Sequence, residues 1–295
     1  MRKFIFIITA CLALVSCRRT AKTDCEKLNL KGNVSYIIES YYTFAESSEG
    51  QLSKDKRTES ETWFFDSGDQ TFLMSYETRI YFDNKGRKTL VEVLDSAGIN
   101  LSVRETYEYD AEGNLSVKRG FNFDSLYCRE TFLYDNKNRE IERVFYDMDD
   151  KMEETIQSEY FDQTVKSIVL SADADADTLE IHAILDKDGN RTDEWLKTSK
   201  GELLKRDVKV YDEKGRMTEL TNYDSSKTPY QKSTCRYDEH GNEAEFVIYN
   251  LENNEIIATY KYHYIYDETG NWVEQISMMN EAPYTVTVRD IKYYK

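Results

Sequence analysis

Three aspartates alternate with alanine in the segment Asp173-Ala174-Asp175-Ala176-Asp177 and are candidates for metal binding. Carboxylate oxygens at this spacing suit a hard cation such as Ca²⁺. The EF-hand pattern is incomplete, however, because Thr178 occupies the position that requires glycine and Ile184 the position of the bidentate glutamate. We therefore interpret the segment as an acidic surface turn and predict no metal site.

Catalytic residue types form no recognisable motif. The histidines His182, His240 and His263 are far apart in the sequence, and neither a Gly-x-Ser-x-Gly nucleophile turn nor a glycine-rich phosphate loop occurs. A glycosidase needs two carboxylates about 5 to 10 Å apart across a cleft. The sequence cannot identify such a pair among 55 acidic residues. No catalytic residue and no cofactor are predicted.

The five cysteines fit neither a disulfide framework nor a zinc site. Cys11 and Cys17 lie near the N-terminus, and Cys25, Cys128 and Cys235 are widely spaced, with no Cys-x-x-Cys pair. We interpret the last three as buried, unreactive thiols.

Aromatic residues are abundant, with 23 tyrosines, 13 phenylalanines and the tryptophans Trp63, Trp195 and Trp272. Such side chains either form a surface on which sugars stack or cover the faces of a sheet that has little other core. The second interpretation is preferred. In the segment Tyr260 to Tyr266 the alternation places four tyrosines on one face of a predicted strand.

The charge balance is acidic, with 39 basic residues against 55 acidic ones and a net charge of −16. Removal of residues 1–16 takes away Arg2 and Lys3, which leaves 37 against 55, or −18. A surface of this charge is a poor partner for nucleic acid, so nucleic-acid binding is not expected.

The N-terminus has the pattern of an export signal. Arg2 and Lys3 precede an apolar run from Phe4 to Val15, which is too short to span a membrane as a helix. The tetrapeptide Leu14-Val15-Ser16-Cys17 resembles the bacterial lipobox, and this resemblance implies a lipid on Cys17 that attaches the chain to a membrane. We therefore expect a signal peptide at 1–16, an N-terminal tether at 17–28 and one domain at 29–295.

The residues after Cys17 bear on location within the envelope. Arg18 is not the aspartate that retains lipoproteins at the inner membrane, and Arg18 to Lys22 lacks the acidic stretch associated with surface export. By resemblance, we expect an outer-membrane lipoprotein that faces the periplasm.

Further along the chain, a short motif repeats. Its aspartates recur every 25 to 29 residues, with one double interval of 51. We call its copies the strong turns: Phe82-Asp83-Asn84-Lys85-Gly86-Arg87, Tyr109-Asp110-Ala111-Glu112-Gly113-Asn114, Tyr134-Asp135-Asn136-Lys137-Asn138-Arg139, Leu185-Asp186-Lys187-Asp188-Gly189-Asn190, Tyr211-Asp212-Glu213-Lys214-Gly215-Arg216, Tyr237-Asp238-Glu239-His240-Gly241-Asn242 and Tyr266-Asp267-Glu268-Thr269-Gly270-Asn271. Less regular weak turns lie between them, so that the chain reverses about every 13 residues, as in all-β folds.

Turn chemistry accounts for the conserved spacing within the motif. An aspartate that opens a turn accepts a backbone N–H two residues on, and glycine occupies a position of positive φ. The predicted turn glycines are Gly86, Gly113, Gly189, Gly215, Gly241 and Gly270, and Asn138 replaces glycine in one copy. We predict an all-β fold, an antiparallel meander of hairpins that forms a twisted, curled sheet. We also expect Gly241→Val to be more destabilising than Gly120→Val, because Gly120 lies in no such turn.

The motif resembles the YD (Rhs-type) repeat, in the short lipoprotein form found in Bacteroidetes, over about residues 60–295. Long members of this family enclose a toxin in a β-cage and release it at an Asp-Pro site. This chain has no Asp-Pro pair and too few repeats for a closed cage, so toxin delivery is not expected. A second resemblance, to the O-glycosylation sequon of Bacteroidetes, implies glycans on Ser96, Ser125 and Thr178.

Two functions are consistent with these observations. We favour a non-catalytic envelope lipoprotein that acts as a scaffold or binding module for protein or glycan, because nothing in the sequence meets the requirements of catalysis. The alternative is a polysaccharide-active enzyme of the cell envelope.

Overall fold

The computed structural model describes residues 22–46, 52–57, 60–64, 71–75, 77–94, 101–173 and 176–295. Within these ranges there is one helix, α1, over Asp24–Lys27. The strands are β1 (Val34–Glu46), β2 (Leu52–Arg57), β3 (Ser60–Phe64), β4 (Thr71–Ser75), β5 (Glu77–Phe82), β6 (Lys88–Leu94), β7 (Leu101–Tyr109), β8 (Leu115–Asn122), β9 (Ser125–Tyr134), β10 (Glu140–Tyr146), β11 (Met152–Phe161), β12 (Thr164–Ser171), β13 (Leu179–Leu185), β14 (Arg191–Thr198), β15 (Leu203–Tyr211), β16 (Met217–Tyr223), β17 (Pro229–Tyr237), β18 (Glu243–Asn250), β19 (Glu255–Tyr266), β20 (Trp272–Met279) and β21 (Ala282–Tyr293).

The predicted all-β antiparallel architecture is confirmed. From β5 to β21 each strand pairs in antiparallel fashion with the strand that follows it in sequence. The strong turns therefore lie along one rim of the sheet and the weak turns along the opposite rim. We call these the strong-turn rim and the weak-turn rim.

The prediction of a curled, open sheet is wrong, because the sheet closes on itself. β1 pairs with β21, from Val34 opposite Tyr293 to Tyr42 opposite Val286. Its other edge pairs with β5, from Tyr36 opposite Tyr81 to Ser40 opposite Glu77. The 19-stranded sheet thus contains a closed ring of 18 strands, a barrel, and β2 extends it beside the end of β1. Closure at this seam, formed by β21, β1 and β5, leaves no free edge in the ring.

The two faces of the closed sheet differ in burial. In β12, Val165, Ser167 and Val169 are buried, whereas the alternating Lys166 and Leu170 are more accessible. A closed sheet shelters only its inner face, so the buried set points inward. The outer face carries ion pairs between neighbouring strands, such as Arg206 with Asp193 at 2.6 Å and Lys166 with Glu180 at 2.9 Å.

Apolar contacts on the inner face form local clusters. One consists of Ile156, Val169 and Ile181, with Phe145, Leu179 and Leu196 packed against them. A second lies at the seam, where Cys25 and Leu30 pack on Val34, Ile37 and Phe82. The segment that precedes β1 is thus part of the packed structure at this point of the ring.

The strong turns have the backbone geometry that the motif requires. The six turn glycines have φ values from 72° to 94°, and Asn138 has a φ of 57°. This is the left-handed region, which glycine adopts at no steric cost and asparagine tolerates.

Candidate functional site

The aspartate of each strong turn fixes the backbone of that turn. Asp83 Oδ1 accepts the N–H groups of Lys85 at 2.9 Å and Arg87 at 3.0 Å. The same pair of bonds recurs at Asp135, Asp186, Asp212 and Asp267. Partial burial on its own raises the pKa of the Asp83 carboxyl, but the hydrogen bonds from Arg87 and Lys85 outweigh it and hold that pKa below its ordinary value.

The residue after the turn glycine connects neighbouring hairpins. Arg87 Nε donates to Asp83 Oδ2 at 2.7 Å, and the guanidinium lies 4.5 Å from the ring centroid of Tyr109, which precedes the following strong turn. Two further sets repeat this arrangement: Asp135, Arg139 and Tyr160, and Asp212, Arg216 and Tyr237. Ion pairing and cation–π stacking therefore run from one hairpin to the next along the strong-turn rim.

At two of the four strong turns where asparagine replaces this arginine, hydrogen bonds make the same connection. Tyr293 Oη donates to Asp267 Oδ2 at 2.8 Å and accepts from Asn271 Nδ2 at 2.8 Å. Tyr266 is held in the same way by Asp238 and Asn242. Arginine and asparagine at this position can thus both hold the tyrosine of the next repeat.

Most of these tyrosines also use their hydroxyl group on the backbone. Tyr237 Oη donates to the carbonyl of Met217 at 2.8 Å, and Tyr109, Tyr160 and Tyr211 bond in the same way to the residue that begins an earlier strand. Phenylalanine cannot make this bond. The sequence analysis did not predict the role of the tyrosine or of the arginine or asparagine, although their regular recurrence was the available signal.

The segment around α1 is bound to the strong-turn rim on the β5 side of the seam. A capping box between Thr23 and Glu26 starts the helix. The Cys25 N–H donates to the Gly86 carbonyl at 3.0 Å. Asp24 Oδ2 accepts the Lys88 N–H at 2.8 Å and the Tyr109 hydroxyl at 2.9 Å, so a buried carboxylate joins the helix to two hairpins.

The same segment continues across the seam. Asn29 Nδ2 donates to the His240 carbonyl at 3.1 Å and to Asn242 Oδ1 at 2.9 Å. The Lys31 N–H donates to Asn271 Oδ1 at 2.7 Å, and Asn271 Nδ2 donates back to the Lys31 carbonyl at 2.9 Å. Residues 24–31 therefore bind strong turns on both sides of the seam. Of the expected tether at 17–28, the described part from Lys22 onward lies at this rim.

The inner face contains a buried ionic cluster on β7, β8 and β9. Lys118 Nζ lies 2.9 Å from Glu105 Oε1 and 3.8 Å from Glu130 Oε1, and Tyr107 Oη donates to Glu105 Oε2 at 2.6 Å. Lys118 is 3 % exposed and Glu130 2 %. Two carboxylates close to one ammonium group suggest acid–base chemistry, but both carboxylates are buried and ion-paired. The arrangement is suited to holding three strands together.

A stripe of aromatic side chains lines the inner face of β19. Tyr260, Tyr262, Tyr264 and Tyr266 alternate along this strand and are half-buried, whereas His263 between them is exposed. The Tyr264 ring lies 5.8 Å from that of Trp272. Burial raises the pKa of Tyr262 to about 12. The stripe forms part of the wall of the barrel.

Exposed apolar residues recur on successive hairpins along the weak-turn rim. We define the apolar arc as six residues on the consecutive hairpins of β14 to β21, which are between 36 % and 58 % exposed: Leu204, Tyr230, Ile256, Ile257, Met279 and Tyr284. The pairing register shifts beside each of the four weak turns in this sector. A bulge of this kind turns a side chain out of the regular alternation. The sequence does not reveal this surface, because its members recur only in the irregular half of the repeat.

Several residues singled out in the sequence do not form a common site. His182 contacts Glu180 at 3.0 Å on the outer face of β13, and His240 stacks on Tyr266 in a strong turn. Ser125 is exposed at the start of β9, and Thr178 is half-buried before β13. Cys17 and Ser96 lie outside the described residues. In the part of the chain that the structure describes, no three His, Cys, Asp or Glu side chains are grouped to hold a metal ion.

The three remaining cysteines are free thiols. Cys25 and Cys235 are buried, and Cys128 is half-buried. Burial, reinforced by nearby carboxylates, raises the pKa of Cys25 and of Cys235 to about 11. Thiols with such pKa values are protonated near neutral pH and are poor nucleophiles.

No helix among the described residues is long and apolar enough to span a membrane.

No protein-family model and no curated protein matches the sequence. Among solved structures, a porin-like protein from Bacteroides uniformis is 10 % identical with a TM-score of 0.30, covering 89 % of this chain and 99 % of that one. The Photorhabdus luminescens Tc holotoxin pore, with the TccC3-D651A mutation, is 12 % identical over 68 % of this chain, with a TM-score of 0.27. The complex TcdB2-TccC3 is 11 % identical over 82 % of it, with a TM-score of 0.35. This chain spans 11 % of the matched Tc holotoxin chain and 14 % of the matched TcdB2-TccC3 chain.

Proposed function

We propose that this chain is a non-catalytic lipoprotein of the bacterial envelope, of the YD-repeat (Rhs-like) type, that binds a protein partner through the apolar arc. The observation that carries the proposal is the arc itself. Its six large apolar side chains lie on neighbouring hairpins of the weak-turn rim and are exposed to water. Exposed apolar side chains grouped on neighbouring hairpins are typical of interaction sites.

The composition of the arc favours a protein over a glycan. Four of the six members, Leu204, Ile256, Ile257 and Met279, are aliphatic or thioether side chains, which give apolar contact area but no flat ring for a sugar to stack on. Tyr230 and Tyr284 have such a ring, but they lie on different hairpins among these apolar neighbours. Corresponding residues of successive hairpins are two strand spacings apart, or about 10 Å. A partner that contacts all four hairpins therefore spans about 30 Å, which is within the size of an ordinary protein interface.

The charges around the arc indicate the chemistry of the partner. The weak turns beside it carry Glu202, Asp224, Glu252, Glu255 and Glu281 against Lys200 and Lys227. An apolar centre with an acidic border fits a partner that has basic residues around an apolar patch. The same acidic border, in a chain of net charge −16, disfavours a second copy of this protein.

The polysaccharide-active enzyme is the weaker alternative. Glu105 and Glu130 beside Lys118 are two carboxylates that share one group, and those side chains are buried and ion-paired. Such carboxylates are poorly placed to act on a polysaccharide.

Affinity capture from envelope extracts tests the proposed binding site. The lipoprotein with Tyr230→Ser, Ile257→Ser and Tyr284→Ser is compared with a control that carries Leu133→Ser, Val210→Ser and Ile265→Ser, three exposed apolar residues near the strong-turn rim. We expect a partner that the natural protein and the control retain and the arc variant loses. Equal retention by both variants, or binding to purified glycans that depends on the arc, contradicts the proposal.

A further inference from the structure

We propose that the barrel stands on the membrane through its strong-turn rim, with α1 and the basic residues around it against anionic lipid headgroups. This inference rests on the lipid at Cys17 that belongs to the proposed function. It adds the orientation of the molecule and identifies a second interaction surface, at the opposite end from the apolar arc.

The length of chain between the lipid and the fold limits the distance to the bilayer. Cys17 and Thr23, the N-cap of α1, are six residues apart. A fully extended chain of this length spans about 20 Å. An acyl chain on Cys17 therefore cannot enter a bilayer unless the start of α1 lies within about 20 Å of its surface.

The start of α1 is itself fixed to the rim. Cys25 donates to the Gly86 carbonyl, and Asp24 accepts from Lys88 and from Tyr109. On the other side of the seam, Asn29 and Lys31 bind the strong turns at Asn242 and Asn271. These contacts on both sides prevent the segment from extending as additional tether. The strong-turn rim must therefore lie close to the membrane into which the lipid inserts.

Local charge favours the same surface. The stretch from residue 18 to residue 31 contains five basic residues, Arg18, Arg19, Lys22, Lys27 and Lys31, and two acidic ones, Asp24 and Glu26, a balance of +3 within a chain of −16. Asp24 is buried and bonded within the fold, whereas Lys22, Lys27 and Lys31 are exposed. Lys85, next to the turn residue that binds Cys25, is exposed as well. Basic side chains at the point where an anchor emerges are attracted to anionic headgroups.

The orientation separates the two rims. A strand of eight residues is up to about 26 Å long, so the weak-turn rim lies that much farther from the bilayer. The apolar arc then faces the aqueous compartment, where a soluble or membrane-bound partner can reach it.

Quenching of a fluorophore by labelled lipid headgroups tests the orientation of the barrel on the membrane. A fluorophore is attached to a cysteine that replaces Lys85, on the strong-turn rim, or Asn253, on the weak-turn rim; both positions are exposed. The lipidated protein is placed in vesicles of phosphatidylcholine and phosphatidylglycerol that carry a headgroup quencher. We expect the label at position 85 to lose most of its emission and the label at position 253 to keep most of it. Equal quenching, or stronger quenching at position 253, overturns the proposal.

A longer tether provides the control. A flexible Gly/Ser insertion of about 30 residues after Thr20 has an r.m.s. span of about 30 Å, and in neutral vesicles it should abolish the quenching at position 85. Persistent quenching there contradicts the role of the tether. The mass of the N-terminal peptide reports separately whether Cys17 carries lipid. If it does not, the proposed lipoprotein is wrong, and coupling Cys17 to a maleimide lipid still allows the orientation to be measured.

Discussion

The guanidinium of Arg216 lies 4.1 Å from the ring centroid of Tyr237 while its Nη2 atom pairs with Asp212 Oδ2 at 2.6 Å. One side chain therefore joins the turn between β15 and β16 to the end of β17. The same connection recurs around the strong-turn rim, with arginine in some repeats and asparagine in others. This rim is where the repeats are coupled to one another, and it is also where residues 24–31 bind.

Arg216→Lys should destabilise the protein by about 1 to 2 kcal/mol. Lysine keeps the positive charge but loses the planar group that pairs with Asp212 and stacks on Tyr237 at the same time. Arg236→Lys is the matched control, because Arg236 is 73 % exposed and pairs with Glu245; exposed pairs of this kind contribute about 0 to 1 kcal/mol. Urea unfolding measures both variants. Equal losses would show that the stacking contributes nothing.

Gly270→Val should cost about 1 to 2 kcal/mol through backbone strain alone. Gly270 has a φ of 87°, and a Cβ built on it has no neighbour within 4 Å. Gly270→Asn should be tolerated better, because asparagine adopts this conformation at Asn138 of the equivalent turn. Thermal unfolding of the two variants checks the order, and similar midpoints would contradict it.

A comparison of Gly241→Val with Gly120→Val, as expected from the sequence, does not isolate the backbone strain of valine at positive φ. A Cβ on Gly120 would lie 2.6 Å from Tyr127 Cε1 and 2.8 Å from Cys128 Sγ. A valine at position 120 would therefore disrupt packing on β8 and β9. The expectation that Gly120 is the more tolerant position has no support, because the sequence did not reveal which side chains lie over it.

Stability should fall below about pH 4. The carboxyls of Asp83, Asp135, Asp186 and Asp212 have pKa values below their ordinary 3.8, since the hydrogen bonds they accept outweigh the effect of partial burial. Stability from a lowered pKa is complete above the ordinary value and is lost as the pH falls through the folded-state value. Asp212→Asn should fold at neutral pH and lose less stability between pH 5 and pH 2 than the natural protein. Parallel curves of unfolding free energy against pH for the two proteins would contradict the role of the Asp212 carboxylate in this loss of stability.

Asp24→Ala should loosen the seam. The substitution leaves the Lys88 N–H without its buried acceptor and removes one of the two acceptors of the Tyr109 hydroxyl, which keeps the Lys88 carbonyl; the expected cost is about 1 to 3 kcal/mol. Glu26→Ala, which removes only the capping contact to Thr23, should cost about 1 kcal/mol or less. Hydrogen exchange of β1 and β21 provides a local measurement. Faster exchange in the Asp24 variant alone is expected, and unchanged exchange there would show that residues 24–31 do not stabilise the closure.

The part of the fold that depends on local chemistry could be predicted from the sequence. Asp83 and Gly86 define a turn within five residues, and the alternation in Tyr260 to Tyr266 defines two faces of a strand. These patterns gave the hairpins, the antiparallel pairing and the shared face of the four tyrosines.

The closure of the ring could not be predicted in this way. It depends on pairing between Ile37 and Ile291 and between Ile37 and Ile80, residues far apart in sequence that no turn connects. The twist between neighbouring strands is compatible with either an open or a closed sheet. The apolar arc was missed for a related reason, since bulges at the weak turns expose residues such as Tyr230 and Ile257 that simple alternation does not single out.

Site-specific photo-crosslinking in living cells tests whether a partner binds at the apolar arc. A photoreactive phenylalanine analogue is placed at Tyr230, in the arc, or at Val210, an exposed position near the strong-turn rim. We expect a discrete crosslinked protein from position 230 that Ile257→Ser and Tyr284→Ser together abolish, and none from position 210. The same product from both positions, or no protein product from position 230, would contradict partner binding at the arc.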